Sequence, residues 1–146
     1  MNAKPVTKVV VRRSLSAEPA AVFECFSSAA MLAKWFYAGD ATRCEAQSDF
    51  RVGGALLFRM FGPGDEVSEH RGRWVSIEPN ERLRLLWIHD EQAASLVQFD
   101  FEPAGASTRV TVSHTDLPAD MGPLFEQGWA QCLGHLARAV TENSKP

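Results

Sequence analysis

The sequence predicts an α+β domain in which an antiparallel sheet of six or seven strands clasps one long C-terminal helix. Three observations carry this prediction. Apolar residues recur at helical spacing in a single long stretch, Asp120 to Val140. Between residues 42 and 115 they alternate instead, in runs separated by short turn signals. Two short helix-like stretches stand between the first alternating run and the others. Consecutive strands joined by short turns are antiparallel, and strands followed by a helix on one face make an α+β architecture.

In chain order, residues 1–7 and 142–146 lack periodicity and are expected to fray, leaving an ordered core of about 8–141 in one domain spanning 1–146. Val9, Val11, Arg13 and Leu15 alternate with Val10, Arg12 and Ser14 as a first strand. Ser16 is placed to cap a helix that begins around Pro19 and buries Val22, Phe23 and Phe26. Ser27-Ser28 breaks it, and Met31, Leu32, Trp35 and Phe36 form a second short helix. Together the two should make a V-shaped lid. Strands are then expected over 42–48, Leu56–Phe61, His70–Ile77, Arg82–His89, around Val97–Phe101, and Thr108–Thr115. Gly53-Gly54, Gly62-Pro-Gly64, Pro79-Asn80 and Pro103-Ala-Gly-Ala supply the turns. In the last stretch Phe125, Trp129, Cys132, Leu133, Leu136, Ala139 and Val140 share one stripe, with Gln127, Gln131, Gly134 and Arg138 opposite. Asp120 can cap it and Pro123 is tolerated in its first turn.

Composition excludes several function classes. A net charge of −3 with no basic run argues against nucleic acid and against an anionic membrane surface as partners. No apolar run approaches the ~18 residues of a spanning helix, and the N-terminus lacks a signal-peptide core. Cys25, Cys44 and Cys132 are odd in number and widely spaced, so reduced thiols in the cytoplasm are expected.

No nucleophile elbow, phosphate loop or dinucleotide fingerprint is present, and Asp49, Glu78 and Glu81 sit at turns rather than across one cleft. Hence no catalytic residue, cofactor or metal is assigned. His70, His89, His114 and His135 come from four different elements without ligand spacing. His114 differs in continuing the inward row of Val110 and Val112. It is read either as a buried neutral imidazole or as a polar anchor inside a cavity. Phe58, Trp74, Trp87, Phe99 and Trp129 all fall at inward positions. They are either an ordinary core or the wall of an apolar ligand cavity. Gly128, at the edge of the helix stripe, gives close packing or space for a ligand. Arg13 shares the inward face of its strand and is expected to reach the sheet rim and water.

Several segments carry a family resemblance: Pro19-Ala-Ala-Val-Phe23, Leu32-Ala-Lys-Trp35, Asp49-Phe-Arg-Val-Gly-Gly54, Gly72-Arg-Trp74, Glu78-Pro-Asn-Glu-Arg-Leu83, Thr108-Arg-Val-Thr-Val112 and Gly128-Trp129-Ala-Gln-Cys-Leu133. With these the chain resembles the START/birch-pollen-allergen (SRPBCC) superfamily, and within it the heat-shock protein 90 ATPase activator homologue family, C-terminal-domain-like branch. The resemblance implies a helix-grip fold, with a curved antiparallel sheet around the long helix and a cavity between them. It implies non-enzymatic binding of a small hydrophobic molecule by Phe58, Trp74, Trp87, Phe99, His114 and Trp129. Two other expectations follow from the same superfamily. One is a chaperone-activator-like protein-interaction module of the stress response, with a protein partner or a homodimer left open. The other is a polyketide-cyclase-like enzyme with His114 as acid/base.

Overall fold

The computed structural model describes residues 5–90 and 93–143. Strand β1 (Val6–Leu15) is followed by helices α1 (Pro19–Glu24) and α2 (Ala29–Leu32). Six further strands follow: β2 (Arg43–Ser48), β3 (Ala55–Phe61), β4 (Val67–Glu78), β5 (Arg82–Ile88), β6 (Ala94–Ala104) and β7 (Ser107–Pro118). A 3₁₀ turn (Ala119–Met121) then leads into α3 (Gly122–Asn143). The strands form one seven-stranded sheet in the order β1-β7-β6-β5-β4-β3-β2, antiparallel throughout. Strands β2 to β7 are therefore a meander. Only β1 pairs with a strand distant in sequence, and α1 and α2 make that crossing.

Alternation in the sequence becomes alternation of faces. Leu83, Leu85 and Trp87 of β5, Val97, Phe99 and Phe101 of β6, and Val110, Val112 and His114 of β7 are all buried beneath α3 and the short helices. The outer face is polar: Arg82 Nε reaches Asp100 at 2.6 Å and Arg84 Nε reaches Gln98 at 2.8 Å. Two bulges bend the sheet. In β7, positions 114 and 117 face positions 9 and 7 of β1, and Asp116 takes up the extra residue in the left-handed region (φ 58°). The inward parity shifts there, so Leu117 rather than an even-numbered residue is buried. In β4 the extra residue is Val75, between Trp74 and Ser76.

Backbone closeness explains Gly54. A Cβ there would lie 1.9 Å from the Asp49 carbonyl oxygen. Its own carbonyl accepts the Trp74 N–H at 2.9 Å, so the β2–β3 turn is laid directly on β4.

Several boundaries differ from the sequence expectation. The first helix starts at Pro19, its N-cap is Glu18, and Ser16 does not cap it. Proline's fixed φ sets the start, and Ser16 stands too far upstream to reach the first free N–H groups. Ser28 caps α2 instead, accepting from Met31 N–H at 3.2 Å. The second helix stops at Leu32, and Trp35 and Phe36 follow it in turns. Trp35 is nonetheless fixed, because its Nε1–H donates to the Cys25 carbonyl at 2.9 Å. The turns that follow these two helices form a packed plug, with Phe26 against Trp35, Phe99 and Phe101 at 4.7, 4.9 and 5.3 Å between ring centroids. Regular structure extends past the expected core, to Val6 in β1 and Asn143 in α3, while residues 1–4 and 144–146 lie outside the described residues.

Helix α3 follows its stripe: Trp129, Cys132, Leu133, Leu136, Ala139 and Val140 are buried and Gln127 and Arg138 exposed. The 3₁₀ turn replaces the Asp120 cap. Gln131 is half-buried rather than exposed, because its Oε1 accepts the Gly39 N–H at 2.7 Å. Arg13 is exposed at the sheet rim, and Gly134 faces it, a Cβ there lying 4.0 Å from Arg13 Nη1.

Leu136→Ala is expected to lower unfolding free energy by ~2–5 kcal/mol in urea titrations, while Arg138→Ala changes it by less than ~0.5 kcal/mol. Equal effects would place the stripe on the wrong side of α3. Gly54→Ala is expected to lose at least ~2 kcal/mol by the same measurement, since the clash is with backbone and cannot relax by a rotamer change.

Candidate functional site

One end of the space between helix and sheet is open. A cleft of about 420 Å³ lies between the N-terminal half of α3, the inner ends of β3 and β4, and the segment 36–40. Phe36, Trp87, Phe125 and Trp129 give it aromatic walls, with Met60 beside them. Asp40, Ser68, His70, Gln127 and Gln131 supply its polar groups.

Each wall has a local cause. Segment 36–40 has no periodicity of its own and is pinned to α3 by three side chains. Gln131 accepts the Gly39 N–H, and the Tyr37 carbonyl accepts from Cys132 Sγ at 3.3 Å and from His135 Nδ1 at 3.0 Å. The Tyr37 ring also stacks on His135 at 4.1 Å. Gly128 faces this segment rather than the sheet, and a Cβ there would sit 3.7 Å from Ala38 Cβ, ordinary contact. Its missing side chain leaves width in the cleft, whose wall it forms. On the sheet side Trp87 stands opposite Gly72 and meets Phe58, Phe125 and Trp129 edge-on at 5.4, 5.5 and 5.7 Å.

Behind Trp129 runs a hydrogen-bond chain whose first two directions are fixed by chemistry. An indole N–H can only donate. Trp129 Nε1 lies 3.0 Å from His114 Nδ1, so that nitrogen is the acceptor and the His114 proton sits on Nε2. Nε2 then donates to Ser95 Oγ at 2.6 Å. Ser95 Oγ in turn shares a hydrogen bond of 2.8 Å with His89 Nε2. His114 is fully buried and Ser95 nearly so. Burial, reinforced by the neighbouring His89, pushes the His114 pKa down to about 4. A second proton on its ring would also leave Trp129 with a donor facing a donor.

The six residues expected to line a cavity divide between three places. Trp87 and Trp129 form walls of the cleft. Phe58 lies behind it, stacked beneath His70 and against Phe36 at 4.5 Å. Phe99 lies behind Trp129 at 5.6 Å, and His114 does not line the cleft but stands behind its rings, hydrogen-bonded to Trp129 and 5.0 and 5.9 Å from Phe125 and Trp87. Trp74 points to the other end of the sheet, against Phe50 at 5.0 Å and with its Nε1–H on Ser48 Oγ at 3.1 Å. Much of the volume that these six residues were expected to enclose is thus occupied by side chains. Open space begins at the Trp87–Trp129 face.

Sequence reasoning missed Phe36, Asp40, Met60, Ser68, His70 and Gln127 as walls. For His70 a signal existed, since it precedes Gly72 and Trp74 in one inward row of β4. For segment 36–40 none did.

Chemically the walls offer shape, aromatic faces and hydrogen bonds. Burial raises the Cys132 thiol far above its ordinary range and pushes Cys25 and Cys44 up to about 11, so these thiols stay protonated at neutral pH. All three are buried and unpaired. His70, half-buried, is held neutral by burial and by His89. Among the described residues no group of three or more His, Cys, Asp or Glu is placed to hold a metal ion.

The His114 chain has a pH signature. The folded protein protonates His114 only near pH 4, whereas the unfolded chain does so near the ordinary ~6.5, so acid favours the unfolded state across that window. Stability is complete above pH ~6.5 and falls by about 3 kcal/mol as the pH drops to about 4. His70, His89 and His135, also lowered, act in the same direction. Urea unfolding across this range should show the fall, and His114→Gln should be less stable at neutral pH but flatter towards acid. A variant with the wild-type pH slope would remove His114 as the cause.

With this geometry in view, the relatives of the chain are informative. The family profile described as activator of Hsp90 ATPase homolog 1-like protein matches residues 16–141. Among solved structures, protein CV1439 from Chromobacterium violaceum superposes with a TM-score of 0.81 at 25% identity, over 90% of this chain and 96% of that one. The AHSA1 (SPO3351) protein from Silicibacter pomeroyi does so with a TM-score of 0.79 at 24% identity, over 94% of this chain and 99% of that one. A protein of unknown function, SA2116 from Staphylococcus aureus, reaches a TM-score of 0.83 at only 12% identity, with 98% of each chain covered. No curated protein matches by sequence. The helix-grip α+β fold, with seven antiparallel strands around a long C-terminal helix, is common to these relatives, and the chain belongs to the activator of Hsp90 ATPase homolog 1-like family.

Proposed function

We propose that the protein binds a small hydrophobic molecule, without chemical turnover, in the cleft between α3 and the β3–β4 end of the sheet. The observation that carries the reading is the cleft itself: about 420 Å³, bounded by four aromatic rings and open to solvent on one side. That volume lies within the ~300–1,000 Å³ typical of small-molecule sites, which are apolar with few polar anchors. Burial of about 200 Å² of apolar ligand surface would contribute on the order of 5 kcal/mol before association costs, which corresponds to weak or moderate affinity. The polar groups then orient the ligand more than they hold it. Three unpaired thiols, and the absence among the described residues of a helix long and apolar enough to cross a membrane, are compatible with action in the cytoplasm.

A second reading, a protein-interaction module, is favoured by one feature. Leu124 on the cleft wall and Val67 in the adjoining groove are 67% and 53% exposed, so the mouth carries apolar side chains that a partner could cover.

Intrinsic tryptophan fluorescence reports directly on the cleft, because Trp87 and Trp129 both line it. Titration with a panel of small hydrophobic molecules should shift emission for some members. Gly128→Leu is expected to fill the cleft from the helix side, weakening binding at least ~10-fold while gaining helix propensity. If no panel member shifts the emission, or if Gly128→Leu binds as well as wild type, the binder reading fails and the interaction reading replaces it.

A further inference from the structure

We propose that the cleft discriminates by charge, accepting aromatic amines in preference to neutral analogues and rejecting the corresponding carboxylates. This rests on the ligand-binding reading and names the ligand class for the same site. The cleft continues into a second groove of about 440 Å³, with Ala38, Asp40, Met60 and Ser68 common to both walls. Across the two, the charged residues are Asp40, at the junction, and Glu66, in the outer groove. Among the described residues no Lys or Arg lines either one.

The nearby cation is engaged elsewhere. Arg43, at the start of β2, has its guanidinium 3.8 Å from the centroid of the Phe61 ring and 3.0 Å from Glu45. Asp40 enters no ion pair among the described residues. Glu66, exposed, lies over a glycine: its Oε2 is 3.1 Å from where a Cβ of Gly62 would stand, and its carbonyl accepts the Gly62 N–H at 2.9 Å. Gly62 also lines that groove, so the missing side chain gives the carboxylate room there.

Inside, the walls suit a cation as well as a neutral ring. Trp87, Trp129, Phe125 and Phe36 present faces and edges around one volume, and an aromatic face attracts an ammonium. An aryl group can lie against these rings while an ammonium on a short arm reaches Asp40 and the outer groove. A carboxylate on the same arm finds no cation to pair with, loses water, and approaches Asp40 and Glu66 with like charge. His70, on the same wall, is neutral and offers an anion at most one hydrogen bond, with its Nε2 already 3.2 Å from Ser68 Oγ.

The test uses three compounds of one shape, phenylbutylamine, phenylbutanol and phenylbutyrate, titrated into the full chain at neutral pH and low salt by tryptophan fluorescence. The expected order of affinity is amine, alcohol, carboxylate, with roughly tenfold between the first and last. That ratio should shrink to about twofold or less in the Asp40→Asn, Glu66→Gln double variant and in high salt. Three compounds binding equally, or the carboxylate binding best, would overturn the charge preference and leave the binder reading standing. An undiminished ratio in the double variant would remove the two acids as its cause and overturn the inference. If none of the three binds, the binder reading fails and this inference with it.

Discussion

The indole proton of Trp129, placed on His114 at the point where α3 crosses the sheet, is the interaction on which the interior depends. It joins the one long helix to the strand that pairs with both β1 and β6. Because tryptophan has no acceptor to offer, one bond decides the His114 tautomer and with it the donation from His114 Nε2 to Ser95. Among the described residues no buried side-chain nitrogen or oxygen is left without a partner, as a buried network requires. It also holds the Trp129 ring in place as the back wall of the cleft, so a group that never touches the cleft orients one that does.

The cleft is what remains when a straight helix meets a bent sheet. Packing is complete along β1 and β7, beneath Leu133, Leu136 and Val140, and around the plug made by Phe26 and Trp35. Towards the N-terminus of α3 the helix stands over β3 and β4, where segment 36–40 fills the gap only in part. That segment holds its place by hydrogen bonds to Gln131, Cys132 and His135 and by burial of Phe36, while Gly39 and Asp40 are exposed. Small residues at Ala38 and Gly128 keep the two walls apart without a side chain between them.

Aromatic residues therefore serve two purposes here. Phe26, Trp35, Phe99 and Trp74 are core, fully removed from water. Phe36, Trp87 and Trp129 are core on one side and wall on the other, each nearly buried while lining an open volume. Phe125 stands at the transition, half-buried, edge-on to Trp87 and perpendicular to His114 at 5.0 Å. Asp40 and Ser68 stand where the cleft meets the outer groove, while His70 lies among the rings, 5.6 Å from Trp87.

The arrangement of strands and the stripe of α3 were legible in the sequence because both are local periodicities: Leu83-x-Leu85-x-Trp87 alternates, and Trp129, Leu133, Leu136 and Val140 recur at helical spacing, whatever they pack against. His114 was recognisable as inward-facing for the same reason. The location of the open space was not legible. Whether an inward aromatic is wall or core depends on what stands opposite it, and for Trp87 that is a non-periodic segment held by a glutamine 92 positions further along the chain. The parity change at Leu117, the half-burial of Gln131 and the assembly of Ser95, His89 and His114 share this origin. Each arises from a bulge or from a contact between residues far apart in sequence, and only the tertiary structure decides such contacts, because the free energy that fixes them is shared between elements and leaves no repeating pattern in either one.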